Sequence, residues 1–414
     1  MSERDLDLIL KRMAESRVNR RGFLAAAGLA AGSAALAACT SGTSSAAPSA
    51  SAAPSSAPST APSAAPSAAA SAGASAAPSV AVYEHTGVEP ELYMYNWSNY
   101  ISPDNIEAFK TEYGLTKFQY DIFANNEELI AKLQGGASGY DIAAPTAEYV
   151  PAMVEEGFLQ KLDLSKIPNV AYIGDTFKNL WWDPTNEYQV PKDYGTTGIL
   201  YRSSMLPAPP TSWRDFYDLV KGAGSGKTIF VDSMGDVFVF PLKMLGYSLN
   251  SEDPKELDEA RTILLDVAPH LLALDSDTYG QKMADGVASM TLGWTGPLGQ
   301  ELADTPDKGY VNPSEGTLFW LDTWVMLADA PHPNGSYAWL DFIHRPQVQG
   351  EESNYNFYAT PDEAAKAYVK PELLADPAIF PPEDVIAKLE PAVDTSGNTQ
   401  RIDIWEEFKQ KIGG

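Results

Sequence analysis

The chain has 414 residues, with 29 Lys and Arg set against 55 Asp and Glu, for a formal net charge of −26. Such a field repels nucleic acid and anionic lipid and attracts cations, so nucleic acid is excluded as a partner. Solubility at an extracytoplasmic surface accounts for most of this charge, and the sign alone names no ligand. The single cysteine, Cys39, excludes an internal disulfide and any metal site built on cysteine.

Arg20-Arg21-Gly22-Phe23-Leu24 carries a twin-arginine pattern, followed by an uncharged Ala/Gly/Leu run that stops at Leu36-Ala37-Ala38-Cys39. This arrangement is similar to a bacterial twin-arginine lipoprotein signal, with residues 1–38 removed and Cys39 carrying lipid. The uncharged run of 17 residues is too short and too rich in Ala and Gly to span a bilayer well. Residues 1–38 hold six Lys and Arg and four Asp and Glu, so the remainder carries −28. Residues 39–88 form a Ser/Ala/Pro linker in which Pro48, Pro54, Pro58, Pro62, Pro66 and Pro78 interrupt every helical run. Nothing in it buries enough apolar surface to offset ordering, so a disordered tether with a reach on the order of 35 Å is expected.

Beyond the linker, strand and helix patterns alternate. Residues 92–97 read as a strand, and 103–113 as a helix with Ile106 and Phe109 on one face and Gly114 ending it. A strand at 117–123, a helix at 126–134 closed by Gly135-Gly136, a strand at 140–144 and a helix at 147–158 follow. This βαβαβα order predicts a parallel sheet covered by helices on both faces. A second unit begins near Leu200. Ser212 and Asp215 have capping-box spacing, and Pro254 opens a helix running to about Leu265. Further elements are strands at 227–231, 288–294 and 318–327 and helices at 236–245 and 337–351. The roughly 330 residues after the linker suit two lobes better than one core.

Trp97-Ser98-Asn99-Tyr100, Gly293-Trp294-Thr295-Gly296 and Phe319-Trp320-Leu321-Asp322-Thr323 all sit where predicted strands end, and open α/β sheets bind ligands there. An aromatic face beside a carboxylate suits an organic ammonium, since the ring attracts the cation and the acid accepts charge-assisted hydrogen bonds. Taken singly, each Trp is an ordinary core residue, Asp236 an acid at a helix N-terminus, and Glu148 a solvated helix residue. The run 221–228 falls short of a phosphate loop, because Lys221 stands where its first glycine belongs and a strand follows. Asp275-Ser276-Asp277 opens like a calcium loop, but Gly286 occupies the place of the bidentate acid. His85, His270, His332 and His344 lack ligand spacing and no nucleophile–base pair is visible, so no metal, cofactor or catalysis is expected.

An ordered set of stretches carries a resemblance across residues 91–410. These include LYMYNWSNYI (92–101), YDIAAPTAEYV (140–150), NEYQVPKDYGTTGILYR (186–202), LGWTG (292–296), EGTLFWLDTWVM (315–326) and YATP (358–361). The chain resembles the spermidine/putrescine-binding proteins of bacterial polyamine ABC importers. The resemblance implies an α/β, two-lobed periplasmic-binding-protein-like fold of type II. Each lobe would be a mixed, mainly parallel sheet flanked by helices and joined to the other by a hinge. Lobe one would comprise 89–199 plus 322–366 and lobe two 200–321 plus 367–414, with crossings near 198–200 and 321–323. Ligand contacts are implied for Trp97, Ser98, Tyr100, Thr146, Asp236, Trp294, Trp320, Asp322 and Tyr358. Three positions depart from the pattern: Asn99 and Ser233 where acids are usual, and Glu148 in place of a tyrosine.

The resemblance further implies a lipid-anchored monomer that captures a polyamine and passes it to an ABC permease. With two of four expected acids missing, putrescine is expected ahead of spermidine. Another small cationic or amino-acid-like solute is the alternative, and a surface-anchored glycoside hydrolase with two acids across a cleft is the competing class.

Overall fold

The computed structural model describes Val80 and residues 82–412; the twin-arginine pattern, Cys39 and nearly all of the linker lie outside the described residues. The first lobe opens with β1 (Glu91–Asn96), α1 (Pro103–Tyr113), β2 (Lys117–Ile122), α2 (Asn126–Gln134) and β3 (Ile142–Ala143). Pro103 occupies the first turn of α1, and Gly114 stops it in the left-handed region (φ 72°), its N–H reaching the Lys110 carbonyl. The Asn125 side chain caps α2 by accepting from the Glu128 N–H. β1 pairs in parallel with β2 and β3, which is the arrangement expected from the βαβ order. The expected helix at 147–158 is instead a single 3₁₀ turn, Ala147–Tyr149, running into a short α3 (Val150–Glu155). Pro151 has no N–H for the carbonyl of Ala147, so the α-helix restarts at Val150.

Two strands that the hydrophobic pattern does not reveal join the lobes. β4 (Gln189–Thr196) belongs to the first sheet and β5 (Gly198–Arg202) to the second. Thr197 alone separates them, so the chain passes from sheet to sheet within one residue. In the second lobe follow α4 (Trp213–Lys221), β6 (Thr228–Phe230), α5 (Met234–Met244), α6 (Pro254–Val267), β7 (Leu271–Leu274), α7 (Tyr279–Ala284), β8 (Met290–Gly293) and β9 (Lys308–Val311). Its sheet has the order β7-β6-β8-β5-β9, with β6 parallel to both neighbours and β5 antiparallel to both of its own.

The return is made ahead of β10 (Leu318–Met326), which pairs with β4 from Phe319 onward, before the crossing expected near 321–323. Thr317, just before β10, donates its hydroxyl proton to the Thr197 carbonyl, tying the two crossing segments together. The single helix expected at 337–351 is two: α8 (Pro333–Ile343) and α9 (Pro346–Asn356). Pro346 forces Arg345 into extended backbone (φ −67°, ψ 133°) and cannot continue a helix. After α10 (Pro371–Leu374) and α11 (Glu383–Ile386), β11 (Glu390–Pro391) pairs with β10 in the first sheet, although residues 367–414 are expected in the second lobe. α12 (Thr399–Lys411) then returns to that lobe, where Ile404 and Phe408 join its core and Glu407 makes a bidentate pair with Arg261 of α6.

The first sheet therefore reads β11-β10-β3-β1-β2 with β4 paired to β10. Its core gathers Leu92, Met94, Phe109, Trp324 and Trp339, while Trp213, Phe216, Phe230 and Phe240 anchor the other. Among the described residues no helix is long and apolar enough to cross a membrane.

Candidate functional site: an acidic, aromatic cavity between the lobes

Strand ends from both sheets converge on one cavity. From the first lobe come Trp97, Ser98, Asn99 and Tyr100 after β1, Thr146 and Glu148 after β3, and Trp320 and Asp322 on β10. Tyr358, which follows α9 next to the Tyr194–Ala359 bridge on β4, completes that wall. The second lobe supplies Ser233 and Asp236 at the start of α5 and Trp294 after β8. All the ligand contacts expected from the sequence thus line a single space. It leaves about 100 Å³ for the centres of water-sized atoms, several times the 10–15 Å³ or so that one water needs. Trp97 and Trp294 meet across it, ring centroids 5.7 Å apart and planes at 71°, so the lobes touch at its rim.

Each ring is held by its surroundings. The Trp97 indole donates to the Ala144 carbonyl at 2.9 Å and packs against Phe123. Trp320 lies flat over its cross-strand partner Gly195, where a Cβ would stand 2.5 Å from the indole Cζ2. Its Nε1 is buried and has no hydrogen-bond partner. Tyr358 meets Trp320 edge-on at 5.0 Å, and its hydroxyl sits close enough to Gly296 to exclude any side chain there.

The acids differ in how they are held. Asp322 accepts a hydrogen bond from the Tyr100 hydroxyl at 2.7 Å. Burial pushes its carboxyl up to about 7, against the lowering effect of Tyr100, Thr146 and the charge of Lys192. Lys192 does not pair with it. That ammonium is buried behind Tyr100, 3.3 Å from the ring centroid, and pairs with Asp193. Asp236 accepts from the hydroxyls of Ser233 (2.6 Å) and Thr197 and from the Trp294 indole (3.1 Å), so three donors face it. Burial still raises its carboxyl. Ser233, whose side chain caps α5, therefore replaces a charge with a donor. Glu148 is half-buried on the cavity wall, not a solvated helix residue; burial pushes it up to about 8, and Asp322 and Asp236 add to the rise.

Two further acids, Asp277 and Glu301, also line the cavity. Asp277 follows the end of β7, and the rule that placed Trp97 and Trp294 would have found it had that strand been visible. Its neighbour Asp275 holds the N–H groups of Asp277 and Thr278 and pairs with Lys282, so the segment is a capped turn and not a calcium loop. Glu301 lies in an irregular loop with no local signal. Among the described residues five carboxylates and eight aromatic rings line the space, and no Lys, Arg or His does. The expectation of fewer acids, and with it the ranking of putrescine over spermidine, loses its basis. Among the described residues no group of His, Cys, Asp and Glu is arranged to hold a metal ion.

Residues 105–381 match the family described as bacterial extracellular solute-binding protein. A spermidine/putrescine-binding periplasmic protein of Salmonella typhimurium is 33% identical over 331 residues, covering 79% of this chain and 93% of its own length. A putrescine/agmatine-binding protein of Pseudomonas aeruginosa is 30% identical, covering 78% and 92%. Among solved structures, a spermidine/putrescine ABC transporter protein of Listeria monocytogenes superposes with a TM-score of 0.72 at 30% identity. That match covers 78% of this chain and 99% of the other.

Proposed function

The chain belongs to the bacterial extracellular solute-binding proteins, and from that premise we propose that it captures a polyamine, putrescine or spermidine, and delivers it to an ABC permease. It is a solute-binding protein and not an enzyme, like the relatives it matches; the hydrolase reading is set aside. One observation carries the choice of ligand: among the described residues, five carboxylates and eight aromatic rings surround a space without a single cationic side chain. Buried acids without counter-ions are costly, and a bound ammonium relieves that cost. The rings cover its methylenes and attract its charge.

In this reading Asp322 and Asp236 accept ammonium hydrogen bonds, and Trp97, Trp294, Trp320, Tyr100 and Tyr358 form the aromatic walls. Ser98, Asn99, Thr146, Glu148 and Ser233 complete the contacts. An amino-acid-like ligand is less well supported, because its carboxylate would meet no cationic partner. We further propose twin-arginine export, lipidation at Cys39, a tether over 39–88 and action as a monomer on the outer face of the membrane, on the strength of the sequence pattern described above.

Thermal unfolding of the purified protein against a panel of amines, amino acids and sugars tests the ligand class. A polyamine at about 100 times its Kd should stabilise the fold by about 2.7 kcal/mol, and Trp320→Ala or Asp322→Ala should remove the shift. Protection by sugars alone would end the amine reading while leaving the family assignment intact.

A further inference from the structure

Glu301 is the acid for which the structure offers the least internal purpose. It sits on the loop after β8 in the second lobe, and its Oε1 accepts from the Asn99 side-chain amide of the first lobe at 3.0 Å. Its Oε2 is buried without any hydrogen-bond partner, and Glu301 forms no ion pair among the described residues. That oxygen lies against the bare face of Gly280, where a Cβ would come within 2.7 Å of it, and Gly280 itself lines the cavity. Gln300 fixes the other side of the arrangement: its amide donates to the Asn99 carbonyl at 2.8 Å. Asn99 holds a left-handed backbone (φ 50°) that asparagine tolerates better than most residues.

Asn99, Gln300 and Glu301 line both the main cavity and a shallow groove beside it at the seam between the lobes. Glu301 therefore marks the outer end of the space, while Asp322 belongs to β10 of the first sheet. A carboxylate oxygen buried without a donor is destabilising, and an ammonium offers three N–H groups to relieve it.

We propose that Glu301 is a specificity-determining residue: it accepts one ammonium of a ligand that carries two, and Asn99 aims it across the seam from the opposite lobe. The inference rests on the amine reading above. It makes the site for the second charge a joint product of both lobes, complete only where they meet. It also explains the amide at position 99, since a carboxylate there would repel Glu301 and turn it from the cavity.

Isothermal titration of the purified protein with 1,4-diaminobutane and with 1-aminobutane separates the possibilities. The wild type should prefer the diamine. Glu301→Gln should lose about 10- to 100-fold in diamine affinity and much less for the monoamine, so that the preference collapses. Asn99→Asp should weaken the diamine by repulsion, and Asn99→Asp combined with Glu301→Gln should recover part of that loss by returning one acid to the seam. Unchanged diamine binding by Glu301→Gln would overturn the inference. Equal losses for both amines would also overturn it, assigning Glu301 to lobe contact alone. A wild type that binds neither amine would defeat the amine reading and take this inference with it. Unfolding of each ligand-free variant confirms that the fold is retained.

Discussion

Asp322 and Glu148 make the cavity responsive to pH through two opposed effects. Folding raises their carboxyls from ordinary values of 3.8 and 4.5 to about 7 and about 8, chiefly by burial. Glu352, on the buried face of α9, is raised to about 7 for the same reason. Between those limits the folded chain retains protons that the unfolded chain has released. The contribution of these groups is therefore most favourable at about pH 4 and declines as pH rises towards 8. Cation binding needs the ionised acids, so it strengthens over the same interval. The melting temperature without ligand is expected to fall from about pH 5 to pH 8, while the increment from a bound diamine grows. Glu148→Gln should flatten the upper part of both trends. Differential scanning calorimetry in matched buffers checks this, and parallel shifts with and without ligand would contradict it. At this scale Trp97 and Trp294 were legible because each follows a strand end beside polar residues, whereas Trp320, expected at a strand end, stands inside β10, third from its start. Glu301 was not, because its place is set by loop closure and by Gly280, neither of which leaves a pattern in sequence.

Among the elements, α9 does more than pack. It ends at Phe357 in a left-handed conformation (φ 60°), which is strained for an aromatic residue. That turn lays the Phe357 ring onto Gly299 of the other lobe, where a side chain would collide with it, and presents the Phe357 carbonyl to the Thr295 hydroxyl at 2.8 Å. Gly299→Ala should wedge this contact apart and weaken polyamine binding by about tenfold or more, equivalent to about 1.4 kcal/mol or more. The melting temperature without ligand should fall only modestly, since Phe357 packs against both cores from a partly buried position; titration and thermal unfolding together measure the split. The helices α1 and α2 were readable to the residue because Pro103, Gly114 and Gly135-Gly136 punctuate them. The two misread helices both contain an interior proline, Pro151 and Pro346, whose effect outweighs the apolar spacing around it. β3 and β11, of two residues each, exist through pairing with neighbours and have no local signature.

For the whole molecule, a buried polar network lies behind the cavity. Lys192 pairs with Asp193, Gln349 and Asn356 donate to the same aspartate, and Asn105 and the Ser102 N–H hold Glu352 nearby. Lys192 is only 1% exposed, so its removal leaves two acids buried without a counter-charge. Lys192→Met should cost about 3–5 kcal/mol, read from urea unfolding. A loss below about 1 kcal/mol would show that the acids simply take up protons. This network hides β4 from a hydrophobicity reading, because Lys192 and Asp193 interrupt the strand with charges that only the tertiary structure neutralises. The two-lobed plan was legible from the ordered stretches taken together. The return of β11 to the first sheet was not, since it depends on where a long irregular segment comes back.

The ownership of the five acids has a mechanical consequence. Glu148 and Asp322 sit on one jaw, and Asp236, Asp277 and Glu301 on the other. Ionised acids facing each other push apart, so once the pH is high enough to ionise Asp322 and Glu148 the empty jaws are sprung towards gaping, and in the proposed reading a positive guest is the clasp that shuts them. A transporter that recognises only the shut shape would then pass over unloaded carriers without needing to inspect what they hold.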